Sequence, residues 1–284
     1  MSAAQTSTTP TRPEKQTAPR PALSPRRRRR IVRGIQYALL AVAVLLVGTL
    51  ADWHQLQHQF LELSVARQMF PDLITVALIN TVAYTLSGFG VGLVLGLVIA
   101  LMRLSSVAPY RWLACVYIEF FRGLPALLIF IFIGVGVPLA FPGVMIPGGA
   151  YGQVAVALGL VAAAYMAETI RAGIQAVPRG QMEAARTLGM SRGLAMRSIV
   201  IPQAFRIIVP PLTNELVLLF KDSSLVLFLG VTLETRELTK FGRDLASETA
   251  NTTPIFIAGL CYLLITIPLG YVVRRLEARH AKAR

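Results

Sequence analysis

Four ionisable side chains stand in an otherwise apolar stretch of this chain: Arg206, Glu215, Lys221 and Asp222. A charge held in hydrocarbon costs about 3 kcal/mol even on lenient scales, so such residues mark a route for a charged solute or for water. Glu215 and Asp222 are seven positions apart, two helical turns, and share a face. An acidic stripe of that kind suits the cationic group of a substrate, with the hydroxyls of Ser223 and Ser224 beside it. In the alternative reading, Lys221 and Arg206 neutralise the two carboxylates within the bundle. Lys221 itself either meets a substrate carboxylate or balances a neighbouring acid. This is chemistry of recognition, with no bond-making constellation. Cys115 and Cys261 lie far apart in apolar runs, and His54 and His58 have no third ligand at metal-site spacing. Neither a metal nor a cofactor is expected.

The setting of those charges is membrane. Of 284 residues, 55% are hydrophobic and only 15% charged, and the mean hydropathy is +0.61, too apolar for an ordinary soluble domain. The formal charge of +14 does not imply nucleic acid, because the basic residues cluster beside apolar segments, where they set orientation.

Residues 1–30, rich in Pro, Thr, Ser and Ala and ending in Arg26 to Arg30, read as a disordered basic cytoplasmic tail. Residues 31–50 form a first transmembrane helix, longer than a cleavable signal's apolar core and so an uncleaved anchor. After a polar connector, the chain runs apolar from Pro71-Asp72 to Arg103, with Gly88, Gly92 and Gly96 on one face for close helix packing. A third run, Tyr110 to Ala140, is broken by Gly123-Leu124-Pro125. Just before the break, Glu119 and Arg122 are spaced to pair as a structural salt bridge or to contact substrate. A fourth helix covers about Gly152 to Gly173, where Glu168 and Arg171 repeat the three-apart pairing. A fifth runs from Pro202 to about Gly230, and Pro210-Pro211 predicts a kink or split in it. Val231 to Thr252 reads as an external amphipathic helix. A sixth span, Pro254 to Val273, is stopped by Arg274 and Arg275, leaving 276–284 as a cytoplasmic tail. The positive-inside rule then puts both termini in the cytoplasm.

Between the fourth and fifth helices lies a polar, basic loop, 174–199. Glu183 to Leu188 suits a small helix whose Ala184 and Ala185 leave a shallow face, and Gly189 supplies the permissive backbone for a bend. An amphipathic loop of any polytopic protein would share these features, but the spacing here is specific. Glu183-Ala184-Ala185, three residues, Gly189, nine residues, Ile199-x-x-Pro202 resembles the cytoplasmic-loop signature of ABC importer permease subunits. The one departure is Ile201 in place of leucine, which conserves volume. Glu119-Phe120-Phe121-Arg122-Gly123-Leu124-Pro125, Ala164 to Ile174 and Lys221-Asp222-Ser223-Ser224-Leu225 are similar to the branch for polar amino acids, and the resemblance covers 72–275.

That resemblance implies an all-α integral membrane protein of six transmembrane helices, with the type I importer permease fold and a cytoplasmic coupling-helix loop. Residues 72–275 would be the permease domain. Glu183, Ala184, Ala185, Leu188, Gly189, Ile199 and Pro202 would carry ATPase coupling. Glu215, Lys221, Asp222, Ser223 and Ser224 would line the substrate path. The implied partners are an ABC ATPase dimer, a second permease, identical or homologous, an extracytoplasmic binding protein, a polar amino acid and membrane lipid, in a bacterial plasma membrane. The chain is not expected to be an enzyme: it has no Gly-Lys dipeptide and hence no Walker A loop. An ion-gradient-driven transporter or channel is the competing class. It would use the intramembrane carboxylates but leave the Glu-Ala-Ala loop unexplained.

Overall fold

A computed structural model describes residues 25–143 and 146–282; among these every regular element is helical. The chain divides into two compact units between Trp53 and His54. The first holds α1 (Pro25–Leu50). Residues 1–24 of the expected tail lie outside the described residues, and the arginine run itself is the beginning of α1. Arginine is a strong helix former and proline is tolerated at a helix start, so the helix extends below the apolar segment.

The second unit opens with α2 (Trp53–Phe60) and α3 (Leu63–Gln68). A π-helical turn, Leu73–Leu78, then leads into α4 (Ile79–Leu104). α5 (Ala108–Gly123) ends at Leu124, whose extended backbone (φ −96°, ψ 141°) is what a residue before proline prefers. α6 (Ala126–Ile131), a π turn and α7 (Val137–Ala140) continue at 103° to α5, so the predicted break is a sharp bend. α8 (Gly149–Gln175) is followed by two short helices, α9 (Arg179–Thr187) and α10 (Arg192–Ala195). α11 (Ile201–Asp222) passes into a 3-10 segment, Ser223–Leu229, that stops at Gly230 with φ +70°. α12 (Leu238–Thr249) lies where the external amphipathic helix is expected, and α13 (Thr253–Lys282) ends the described chain.

α4 and α8 form the centre of this unit. Gly88, Gly92 and Gly96 face Leu158, Ala162 and Met166, also four apart: a Cβ added at Gly92 would stand 2.8 Å from that of Ala162, and one at Gly96 3.0 Å from that of Met166. The two backbones approach as closely as the glycine face allows. Around them Ile99, Ala114, Ile118, Ala163, Ala167, Ile170, Ala204 and Ile208 make a buried core that reaches the loop through Val177 and Val200.

Four helical stretches, Arg26–Leu50, Leu73–Leu104, Gly149–Gln175 and Thr253–Ala278, are long and apolar enough to cross a membrane, and the bent pair α5 with α6–α7 makes a fifth. The fifth expected helix, α11, carries four ionisable residues and is not among these stretches. At Pro210-Pro211, where a kink or split is expected, α11 is not split. The helix runs unbroken through Pro210 and Pro211, which leave two carbonyls without backbone donors, and the change of helix type comes twelve residues later at Ser223.

Candidate coupling loop and solute path

The loop after α8 is locally determined. Leu188 caps α9, Gly189 follows at φ +84°, and the bonds Gly189 N–H to Arg186 O (3.0 Å) and Met190 N–H to Ala185 O (3.1 Å) form a Schellman motif. Ser191 then caps α10, its Oγ accepting from Leu194 N–H at 3.2 Å. The bend therefore rests on a left-handed residue at position 189, with open space around its missing Cβ. Strain from φ, not crowding, is what excludes other side chains there.

Outward from this bend project Glu183, Ala184 and Leu188, the last 84% exposed. Ala185 is buried, so of the two alanines only Ala184 belongs to the open face. Ile199 is half-buried in the π turn Met196–Val200, and Pro202 sits in the first turn of α11. Gln203 ties the two arms: its amide donates to Ile199 O at 3.0 Å and reaches Gln181 Oε1 at 3.5 Å.

On α11, Glu215 and Asp222 are both half-buried on one face, as their spacing predicts, and Lys221 is exposed. The charge acting most on Glu215 is Asp222, ahead of Arg122, and the charge acting on Asp222 is Lys221. No ion pair within 4 Å joins any of these among the described residues, and Arg206 is not the counter-charge of either acid. Ser223, assigned to the path on resemblance, is fully buried in the single chain, and its hydroxyl donates to Phe220 O at 2.7 Å. Ser224 likewise donates to Lys221 O at 2.7 Å. Both hydroxyls bond to carbonyls of the last turn of α11.

The two expected ion pairs part ways. Arg171 clasps Glu168 with Nη2 to Oε2 at 2.6 Å and Nε to Oε1 at 3.0 Å, while Nη1 donates to Gln175 Oε1 at 2.6 Å. Glu119 and Arg122 do not pair. Arg122 turns instead to α8, its guanidinium carbon 5.4 Å from the ring centre of Tyr165.

A second polar centre escapes sequence reasoning. Glu237 is fully buried. It caps α12 by accepting from Thr239 N–H (2.6 Å) and Lys240 N–H (2.7 Å), and accepts from the Tyr262 hydroxyl at 2.7 Å. The segment before it is pinned to α4. Asn80 Nδ2 donates to Glu234 O (2.9 Å) and Arg236 O (3.1 Å), the Tyr84 hydroxyl to Thr235 O (2.6 Å), and Leu238 N–H to Thr81 Oγ1 (3.1 Å). Tyr151 completes the knot through Asn80 Oδ1. The available signal was Asn80, Thr81, Tyr84 and Thr85 on one face of an apolar run.

Residues 92–282 match the family model described as the binding-protein-dependent transport system inner membrane component. The chain belongs to this family. It is a multi-pass membrane transport subunit, and families of this kind work with an ATPase and a substrate-binding protein. The permease is 41% identical over 67% of its length to 85% of a probable glutamine ABC transporter permease of Bacillus subtilis. It is 37% identical over 70% of its length to an arginine transport system permease of Corynebacterium glutamicum, of which it spans 65%. A crystal structure of an amino acid ABC transporter with histidines superposes with a TM-score of 0.68 at 36% identity, over 76% of this chain and 97% of that one.

Proposed function

We propose that this permease forms one half of the path of an ATP-driven importer for polar amino acids, docking a separate ATPase dimer through the α9–α10 loop. The observation that carries this is the exposed Leu188 at a Schellman turn whose flanks, Val177 and Val200, are continuous with the bundle core. A rigid lever with an apolar tip passes the motion of a docked partner to the helices. The ion-gradient alternative gives that lever nothing to hold.

α11 supplies the remaining span. In this reading, its charges face a second permease across the path, where water or solute meets them. Residues 72–275 act as the permease domain in the plasma membrane, with the loop inside and α12 outside. An extracytoplasmic binding protein delivers the substrate. Relatives named for glutamine and arginine transport, and the acidic face of α11, point to amino acids with polar side chains. Glu215 and Asp222 receive the cationic end.

The test is uptake of radiolabelled L-glutamine, L-arginine and L-glutamate into vesicles holding the complete importer. Glu215→Gln and Asp222→Asn are each expected to assemble and to lower uptake more than about tenfold, the scale of a lost charge-assisted contact. Normal uptake in both variants removes the carboxylates from the path; no amino acid uptake by the wild type removes the amino acid reading.

A further inference from the structure

The start of α1 carries Arg26 to Arg30 and Arg33. Because neighbouring helical residues turn by about 100°, Arg26, Arg29, Arg30 and Arg33, at i, i+3, i+4 and i+7, stand on one face, and Arg27 and Arg28 lie off it. All of these side chains are exposed, and no acidic residue occurs from Pro25 to Leu50. Like charges three and four apart weaken a helix, so this face calls for anions from outside α1. The match to the family begins at residue 92 and assigns the face nothing.

Depth decides what the anion is. From Gly34 to Leu50 the helix has no charged residue, a length of about 25 Å against a hydrocarbon core of about 30 Å. Arg33 therefore stands at the edge of the core, its stem along the apolar surface and its head turned outward. Arg29 and Arg30 come about one turn further out, among the headgroups, and Arg26 at their water side. An acidic protein surface approaching from water meets Arg26 but not Arg33. The phosphodiester of a phospholipid lies where the four converge, and no side chain from Arg26 to Leu50 is covered by the rest of the chain.

We propose that the face Arg26–Arg29–Arg30–Arg33 binds the phosphate of an anionic phospholipid, of the phosphatidylglycerol or cardiolipin class, and fastens α1 to that leaflet. Guanidinium forks match phosphate oxygens with two parallel bonds. A zwitterionic headgroup offers the same phosphate beside a cation, which four arginines repel. The proposal rests on α1 being a membrane span and is independent of what the importer carries.

The test uses the full-length permease in phosphatidylcholine nanodiscs with a trace of photoactivatable phosphatidylglycerol or, in parallel, photoactivatable phosphatidylcholine, and counts the lipid adducts on α1 by mass spectrometry. A basic residue at an anionic surface is worth about fivefold in binding. The wild type is accordingly expected to take up the phosphatidylglycerol probe about tenfold or more over the phosphatidylcholine probe, with competition by unlabelled phosphatidylglycerol and not by inorganic phosphate. The double variant Arg29→Gln/Arg30→Gln should lose about tenfold or more of that preference. Arg27→Gln/Arg28→Gln, which removes the same charge off the face, should lose less than about threefold. Equal labelling by the two probes, competition by inorganic phosphate, or equal losses in the two double variants overturns the proposal. If a variant does not insert, the two wild-type probes decide between them. Absence of α1 adducts from both probes also overturns it, while amino acid uptake by the complete importer reports separately on the import reading.

Discussion

The α9–α10 loop and the knot around Glu237 are both polar, and they are built in opposite ways. The loop's decisive bonds span at most five residues, from Met190 back to Ala185, and its apolar tip is left open. The knot joins residues 154 and 151 positions apart, Asn80 to Glu234 and Tyr84 to Thr235, and its carboxylate is wholly enclosed. A surface meant for a partner has to hold its shape before the partner arrives, so local bonds define it. A fastening between distant segments has no such need and takes whatever donors the fold brings near.

The largest effect separating the two is expected from Leu188→Glu. A charge on the exposed tip should weaken ATPase attachment by about 2 kcal/mol or more, as at a central interface anchor, with no change in melting temperature. Copurification of the untagged ATPase at wild-type yield would remove Leu188 from the contact. Tyr262→Phe should do the reverse. Loss of the hydroxyl takes a donor from Glu237 and should destabilise the fold by about 1–3 kcal/mol, while the ATPase still copurifies; an unchanged melting curve would show that the hydroxyl is dispensable. Next comes Gly189→Val, where a left-handed β-branched residue costs about 1–2 kcal/mol. That cost should appear as partial loss of ATPase attachment and uptake at normal membrane levels.

The smallest effect is a pH dependence. Burial, outweighing the bonds from Thr239, Tyr262 and Lys240, pushes the Glu237 carboxyl above the usual carboxylate range. A carboxyl raised in the folded state contributes most while protonated. That contribution is complete below the unfolded-state pKa and fades as pH rises through the folded value. Glu237→Gln stays neutral, so its melting temperature relative to wild type should climb as pH rises above about 4, the ordinary carboxylate value. A difference that stays flat would mean that Glu237 does not titrate in that window.

The same contrast explains what was legible in the chain. The loop, the Gly123–Pro125 bend, the glycine face of α4 and the Glu168–Arg171 clasp all depend on residues within a few positions of one another, and spacing alone exposes them. The remaining differences have mixed causes. Arg122 was near enough to pair with Glu119, but Tyr165 on another helix took it. Ser223 and Ser224 adjoin Asp222 in sequence, yet each hydroxyl turns back to a carbonyl three residues earlier. Pro210-Pro211 predicts a kink or split, and α11 is not split there; Ile208, Pro210 and Val217 are buried along it. Glu237 was invisible for want of a recognised capping residue type: acids at that position are ordinarily Asp, not Glu.

The interlocked glycine face has a consequence for how the molecule can move. Each missing side chain on α4 is filled by one on α8, so a slide of one helix along the other by half a turn would drive Leu158, Ala162 and Met166 into backbone. Shear between these two is closed off, and the pair must swing as one beam. A change of access is then hinged at other places, and the helix type itself changes at two of them, the π turn Leu73–Leu78 that leads into α4 and the 3-10 segment Ser223–Leu229 that follows α11.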